Sequence, residues 1–183
     1  LSRAALAGMF GIQGAGAEVF HIFPVHDLAD VFVVDDFHLS DFMGGAESVK
    51  EVVNLFMRIS KMYYTSSVSD EDLSVLASQA RLLFDDELKS KQTDAEYLES
   101  LKQDIADYKK VNRYISDFKL EGSSNVKYKT LNGQKYATIL GLYYIREGSR
   151  LEYSYTKFTL REDAQGHWKL LYWELADESD INE

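Results

Sequence analysis

From Ala46 onward the apolar positions recur first with a helical period and then with a strand period. Val49, Val52, Val53, Phe56 and Met57, with Ser60, fall at three- and four-residue intervals and predict a first helix running to about Tyr64. Thr65-Ser66-Ser67 breaks it. Ser69 caps a second helix, and Asp70, Glu71 and Asp72 occupy its first turn, where the helix dipole favours acids. Leu73, Leu76, Ala80, Leu83 and Phe84 form the apolar stripe of that helix. Thr93-Asp94-Ala95-Glu96 has the spacing of a capping box and opens a third helix with Leu98, Leu101, Ile105 and Tyr108 inward.

Beyond Arg113 the period shortens to two. Strand-length runs cover about 113–121, 125–131, 134–146, 150–162 and 167–175. Asn132-Gly133 between the second and third is a strong hairpin signal, because both central positions of that turn want positive φ. Glu147-Gly148-Ser149 and Asp163-Ala164-Gln165-Gly166 mark the next two turns. On the strand from Gln134, the side chains of Tyr136, Thr138, Leu140, Leu142 and Tyr144 share one face, and Ala137, Ile139, Gly141, Tyr143 and Ile145 the other. Both faces are apolar, so this strand is expected at the centre of a sheet and covered on both sides. Gly141 in its middle predicts a bend or bulge that curls the sheet. The expected fold class is α+β, with three N-terminal helices packed on a strongly curved, mostly antiparallel sheet.

Residues 1–45 differ in kind. They hold one Arg, no Lys, the chain's single Pro, three of its four His and six acids. Paired Gly44-Gly45 is a natural joint to the remainder. The small, weakly apolar start (with Arg3 and Ala15-Gly16-Ala17) is compatible with a leader remnant, and Met43-Gly44-Gly45 with an artificial junction. Residues 18–43 alternate β-branched and aromatic residues with Asp, as an added hairpin or an extension. The organisation is thus an atypical extension over 1–45, an α+β domain over 46–176 and a charged, solvated tail over 177–183.

Charge and composition narrow the classes. A net charge of −10 argues against a nucleic-acid partner, since phosphate contacts need clustered Lys and Arg. Lys109-Lys110 and Lys127-Tyr128-Lys129 read as solvated faces. With no cysteine, disulfides, thiolate nucleophiles, Cys-ligated zinc and iron–sulfur clusters are excluded, while the compartment stays open. No apolar run approaches the roughly 20 residues that cross a bilayer.

Candidate chemistry is sparse. His21, His26, Asp27, Asp30, Asp35, Asp36 and His38 have metal-ligand residue types, but in no spacing of a known site, and read as an acidic surface pair of strands. Gly11-Ile12-Gln13-Gly14-Ala15-Gly16 lacks the ordered glycines and lysine of a phosphate loop and reads as a linker. No metal and no cofactor is therefore expected. His167 falls in a turn, where exposure is expected. The tyrosines carry more: eight of twelve lie from Tyr114 onward, and Trp168 and Trp173 share the last strand. Tyrosine and tryptophan supply rigid contact area with a polar tip and are enriched at recognition surfaces, although a sheet also needs inward aromatics for its core.

The helix stripe Val49 to Met57, the Tyr143-Tyr144 pair and the closing Trp168–Leu175 strand, taken in that order along residues 46–176, resemble the nuclear-transport-factor-two-like superfamily. The resemblance implies a cone whose sheet wraps a long helix, and a non-catalytic, extracytoplasmic bacterial branch. On that reading Phe56, Tyr144, Tyr153, Tyr155, Tyr172 and Trp173 are the ligand-pocket candidates. The implied role is binding a small apolar ligand or a protein partner, with homodimerisation through the sheet. The superfamily's isomerases and dehydratases imply the alternative, in which Asp117 or Glu174 acts as a carboxylate among inward tyrosines.

Overall fold

The computed structural model of the chain describes residues 45–65, 68–120 and 125–182. The expectations for the glycine-rich start and for the His/Asp cluster of residues 18–43 lie outside the described residues. Among the described residues, four helices come first: α1 (Gly45–Tyr63), α2 (Asp70–Leu82), the short α3 (Asp86–Lys89) and α4 (Asp94–Lys110). Five strands follow, β1 (Arg113–Leu120), β2 (Lys127–Leu131), β3 (Gln134–Glu147), β4 (Arg150–Glu162) and β5 (Trp168–Leu175), and then α5 (Glu178–Asn182). The chain is α+β, and the sheet is antiparallel and open. None of the helices among the described residues is long and apolar enough to cross a membrane.

The caps form as their residue types dictate. Ser69 Oγ accepts the Asp72 amide at 3.1 Å. Thr93 Oγ1 accepts the Glu96 amide at 3.2 Å, while Glu96 returns a carboxylate oxygen to the Thr93 amide at 2.8 Å. These bonds satisfy amides that the first helical turn leaves without partners.

Two details of the helices differ from the periodic pattern. Leu83 and Phe84 are buried as the α2 stripe predicts, yet they leave the helix: Leu170 of β5 donates to Leu83 O at 2.8 Å, and Asp85 donates back to Leu170 O at 2.7 Å. This bridge covers part of the outer edge of β5 and hides backbone groups that an edge strand would otherwise present. On α4, Tyr97 takes the buried position and Leu98 packs only partly against the core, because Tyr97 meets the Phe84 ring at 5.4 Å.

β3 is the central strand, with β4 along one edge and β2 then β1 sharing the other. Its two faces are not alike. Ala137, Ile139, Tyr143 and Ile145 are buried beneath the helices with Phe158 and Leu160 of β4. Tyr136, Thr138, Leu140 and Tyr144 on the opposite face stay half-buried. The expected cover on both sides is therefore found on one side only among the described residues.

Gly141 has a different cause from the bulge expected there. It pairs in register with both Leu120 and Thr156, and the register shifts lie instead at Ser116 in β1 and Leu171 in β5. A Cβ at Gly141 would stand 2.6 Å from Met57 Sδ and 2.9 Å from a Phe158 ring carbon. The glycine lets α1 approach the sheet. Gly141→Val should therefore destabilise the fold by about 1–3 kcal/mol through overpacking, read as a lower denaturant midpoint. Met57→Ala in the same chain should return part of that loss, and strict additivity of the two changes would contradict the contact.

Candidate functional site

Strand alternation decides where the six predicted pocket residues stand. Phe56 and Trp173 come together on the helix side, their ring centroids 4.7 Å apart. Phe84 and Phe158 each meet the Phe56 ring at 6.0 Å, so the space between α1 and the sheet is occupied by rings. Tyr144, Tyr153, Tyr155 and Tyr172 stand elsewhere, on the open face of the sheet, with the row of Lys157 and Glu174 between Tyr172 and the other three. Tyr144 pairs with Tyr153 across strands, and their rings meet edge to face at 5.3 Å. The four tyrosines therefore share one surface, and Phe56 and Trp173 do not belong to it.

The open face is apolar at its centre. Leu142 is only 8% exposed, yet it stands outside the helix-side core, as does Leu171 at the β5 bulge. Leu142 faces Tyr155 in register, and Leu140 lies one step along the strand. The rim is charged: Lys119 lies at the β1 edge and Glu174 at the β5 edge, both exposed. Tyr153 at 62% and Tyr172 at 41% exposure are the most open of these rings. Lys157 reaches from the same face to Asp180 of α5 at 2.7 Å, and that hydrogen bond raises the ammonium pKa. The contact pins the C-terminal turn against the sheet. Alternation alone could have revealed this face, since Leu140, Leu142 and Tyr144 occupy every second position; what it lacks is any mark of which side the helices take.

The acids considered for acid–base chemistry are distributed differently from that expectation. Asp117 and Glu174 are exposed, Asp117 in register with Tyr144 on the open face. Of the carboxylates inward on the sheet, Glu147 and Glu152 lie 3.9 and 3.1 Å from the buried Arg113 guanidinium, while Asp104 of α4 is buried near Tyr64, Tyr97 and Tyr108 and Asp85 is buried beside Arg161. Arg113 also stacks over the Tyr108 ring at 5.5 Å. Held around a guanidinium, Glu147 and Glu152 serve as its counter-ions. His167 Nδ1 lies 3.4 Å from Asp163 Oδ2, and the ring is largely covered within its turn.

A surface cleft of about 570 Å³ opens at the hairpin end, lined by Asp85, Lys135, Arg161 and Glu162 among others. Its charges are engaged with one another. Arg161 forks onto Asp85 and reaches Glu87 at 3.1 Å, and Lys135 pairs with Glu162 at 2.8 Å. No group of His, Cys, Asp and Glu arranged to hold a metal ion occurs among the described residues.

The model of a family described as a domain of unknown function, DUF6715, matches residues 41–173. No curated protein matches the chain.

Proposed function

The chain belongs to the DUF6715 family, and for it we propose a non-catalytic role in which the domain docks a protein partner on the open face of its sheet. The observation that carries this reading is the surface formed by Tyr144, Tyr153, Tyr155 and Tyr172 around Leu140 and Leu142. Aromatic rings with wet hydroxyls around a desolvated aliphatic centre are the composition of an interface centre. A small apolar ligand would need a concave, enclosing site. The space beneath the sheet is instead taken by Phe56, Phe84, Phe158 and Trp173. On this reading the nuclear-transport-factor-two-like cone that the chain resembles serves as a scaffold, and recognition occurs on it rather than inside it. The isomerase or dehydratase alternative loses support because the carboxylates it calls on, Asp117 and Glu174, are exposed on the open face.

A photo-crosslinking residue placed at position 153 of the full chain, in its native cells, should yield a defined protein adduct. The same residue at exposed Glu71 of α2 should not. Equal labelling from both positions sinks the proposal. Tyr153→Lys should weaken partner binding by about tenfold or more with an unchanged melting temperature, measured by titration calorimetry and thermal denaturation.

A further inference from the structure

We propose that the outer edge of β2 takes up an extended acidic segment of another protein as an added strand, an interaction separate from docking on the open face. The two edges of the sheet differ. The Leu83–Asp85 bridge covers part of the β5 edge, and Lys169 Nζ reaches across it to donate to Leu82 O at 2.9 Å. Among the described residues β2 pairs with β3 alone, and all five of its residues are exposed.

The turn decides which backbone groups that edge presents. Asn132 and Gly133 form a two-residue loop, so Leu131 and Gln134 beside it are a hydrogen-bonded pair. Alternation then bonds Lys129 and Lys127 to β3 and turns the N–H and C=O of Thr130 and Tyr128 away from it, towards the outer edge. Donors and acceptors at that spacing are what an added strand requires.

The side chains give the charge of the occupant. Lys127 and Lys129 stand opposite Thr138 and Tyr136, on the open side of the sheet, with Lys119 further along the same margin on β1. β2 holds no acid, in a chain whose net charge is −10. Lysines on an edge strand keep like edges apart, so pairing β2 with β2 of another copy would set lysine against lysine. An acidic strand meets the opposite charge. On the helix side, Tyr128 lies 5.7 Å from the Trp168 ring and is still 51% exposed, which leaves ring area for an apolar neighbour. The pattern that fits is therefore acid alternating with apolar, the acids beside the lysines and the apolar residues beside Tyr128 and Thr130.

The test is a nuclear magnetic resonance titration of the full chain with a short blocked peptide of alternating glutamate and valine. The Tyr128 and Thr130 amides should shift and exchange with solvent about tenfold more slowly at saturation, and binding should tighten as salt falls. Lysine in place of glutamate in the peptide should abolish binding, and the double variant Lys127→Glu, Lys129→Glu should reverse that preference. Lys109→Glu, exposed at the end of α4, should leave binding unchanged. Thr130→Pro spares the β2–β3 ladder, because that amide points outward, and should weaken binding by about tenfold with an unchanged melting temperature. Unmoved β2 amides at the highest peptide concentration reached overturn the inference, as does full affinity in folded Thr130→Pro. Should that variant not fold, the charge-reversed chain decides alone, and an unreversed preference overturns the inference. Shifts confined to Tyr144 and Tyr153 would put the peptide on the open face and also overturn it, while the docking reading would stand.

Discussion

Raising the pH above about 10, the ordinary tyrosine value, should unfold this domain in one cooperative step. Five tyrosine side chains, Tyr63, Tyr64, Tyr97, Tyr108 and Tyr143, are sealed between the helices and the sheet, none more than 4% exposed. Burial is the leading cause that pushes each phenol above its usual value, because a phenolate there would lose its hydration. The arginines nearby work against the shift without cancelling it: Arg81 beside Tyr97 and Arg113 beside Tyr108 both favour the anion. The Tyr63 hydroxyl also donates to Leu76 O at 3.1 Å, a bond that needs the proton. The folded values lie above the unfolded one, so the stabilisation is intact below the unfolded value and lost as pH climbs past it. Each such group contributes a slope of about 1.4 kcal/mol per pH unit, so five together give about 7. A domain stability of about 5–15 kcal/mol is exhausted within one to two units. Phenolate absorbance and far-ultraviolet circular dichroism should be followed in the same titration. The five phenols should ionise only as the helical signal collapses. Complete ionisation of all twelve tyrosines with the dichroism intact would show that these hydroxyls reach solvent.

What was legible in the chain was whatever depends on local chemistry. Ser69 and Thr93 cap helices because their hydroxyls reach the amides three residues on. Asn132 and Gly133 adopt φ of 51° and 78° as the two-residue turn requires. Alternation along β3 sorted its side chains into two faces correctly, yet it could not say which one the helices would cover, because Leu140, Leu142 and Tyr144 are as apolar as Ile139 and Ile145. That choice is made by tertiary fit. Gly141 admits Met57 only from one side. The four tyrosines and the Phe56–Trp173 pair were gathered into one candidate pocket for the same reason. Residue type marks an aromatic as valuable area, but position in the pleat decides whether it packs inward or faces out. The Leu83–Asp85 bridge was hidden because a buried Leu-Phe pair after a helix satisfies the helical stripe equally well. Only the β5 edge reveals its other use.

Trp173→Ala should be the most damaging single truncation in the domain, costing about 3–5 kcal/mol. The indole is 4% exposed and joins three elements that are distant in sequence. Its ring lies 4.7 Å from Phe56 of α1 and 5.5 Å from Phe84 of the β5 edge bridge, and its backbone pairs with Phe158 of β4. Removing it leaves a void bounded by rings anchored to separate elements, which cannot all close in together; the cavity cost therefore adds to the lost transfer energy. The neighbour provides the control. Tyr172 is one residue earlier, of comparable size and on the opposite face. Tyr172→Ala should cost about 0.5 kcal/mol, as at other exposed positions. Urea denaturation of the two variants, with equal m-values, separates the cases. A large cost at Trp173 with a small one at Tyr172 is what a one-sided core requires. Similar costs at both positions would mean that the tyrosine face is itself packed in the free chain, and its availability to a partner would fall with that result.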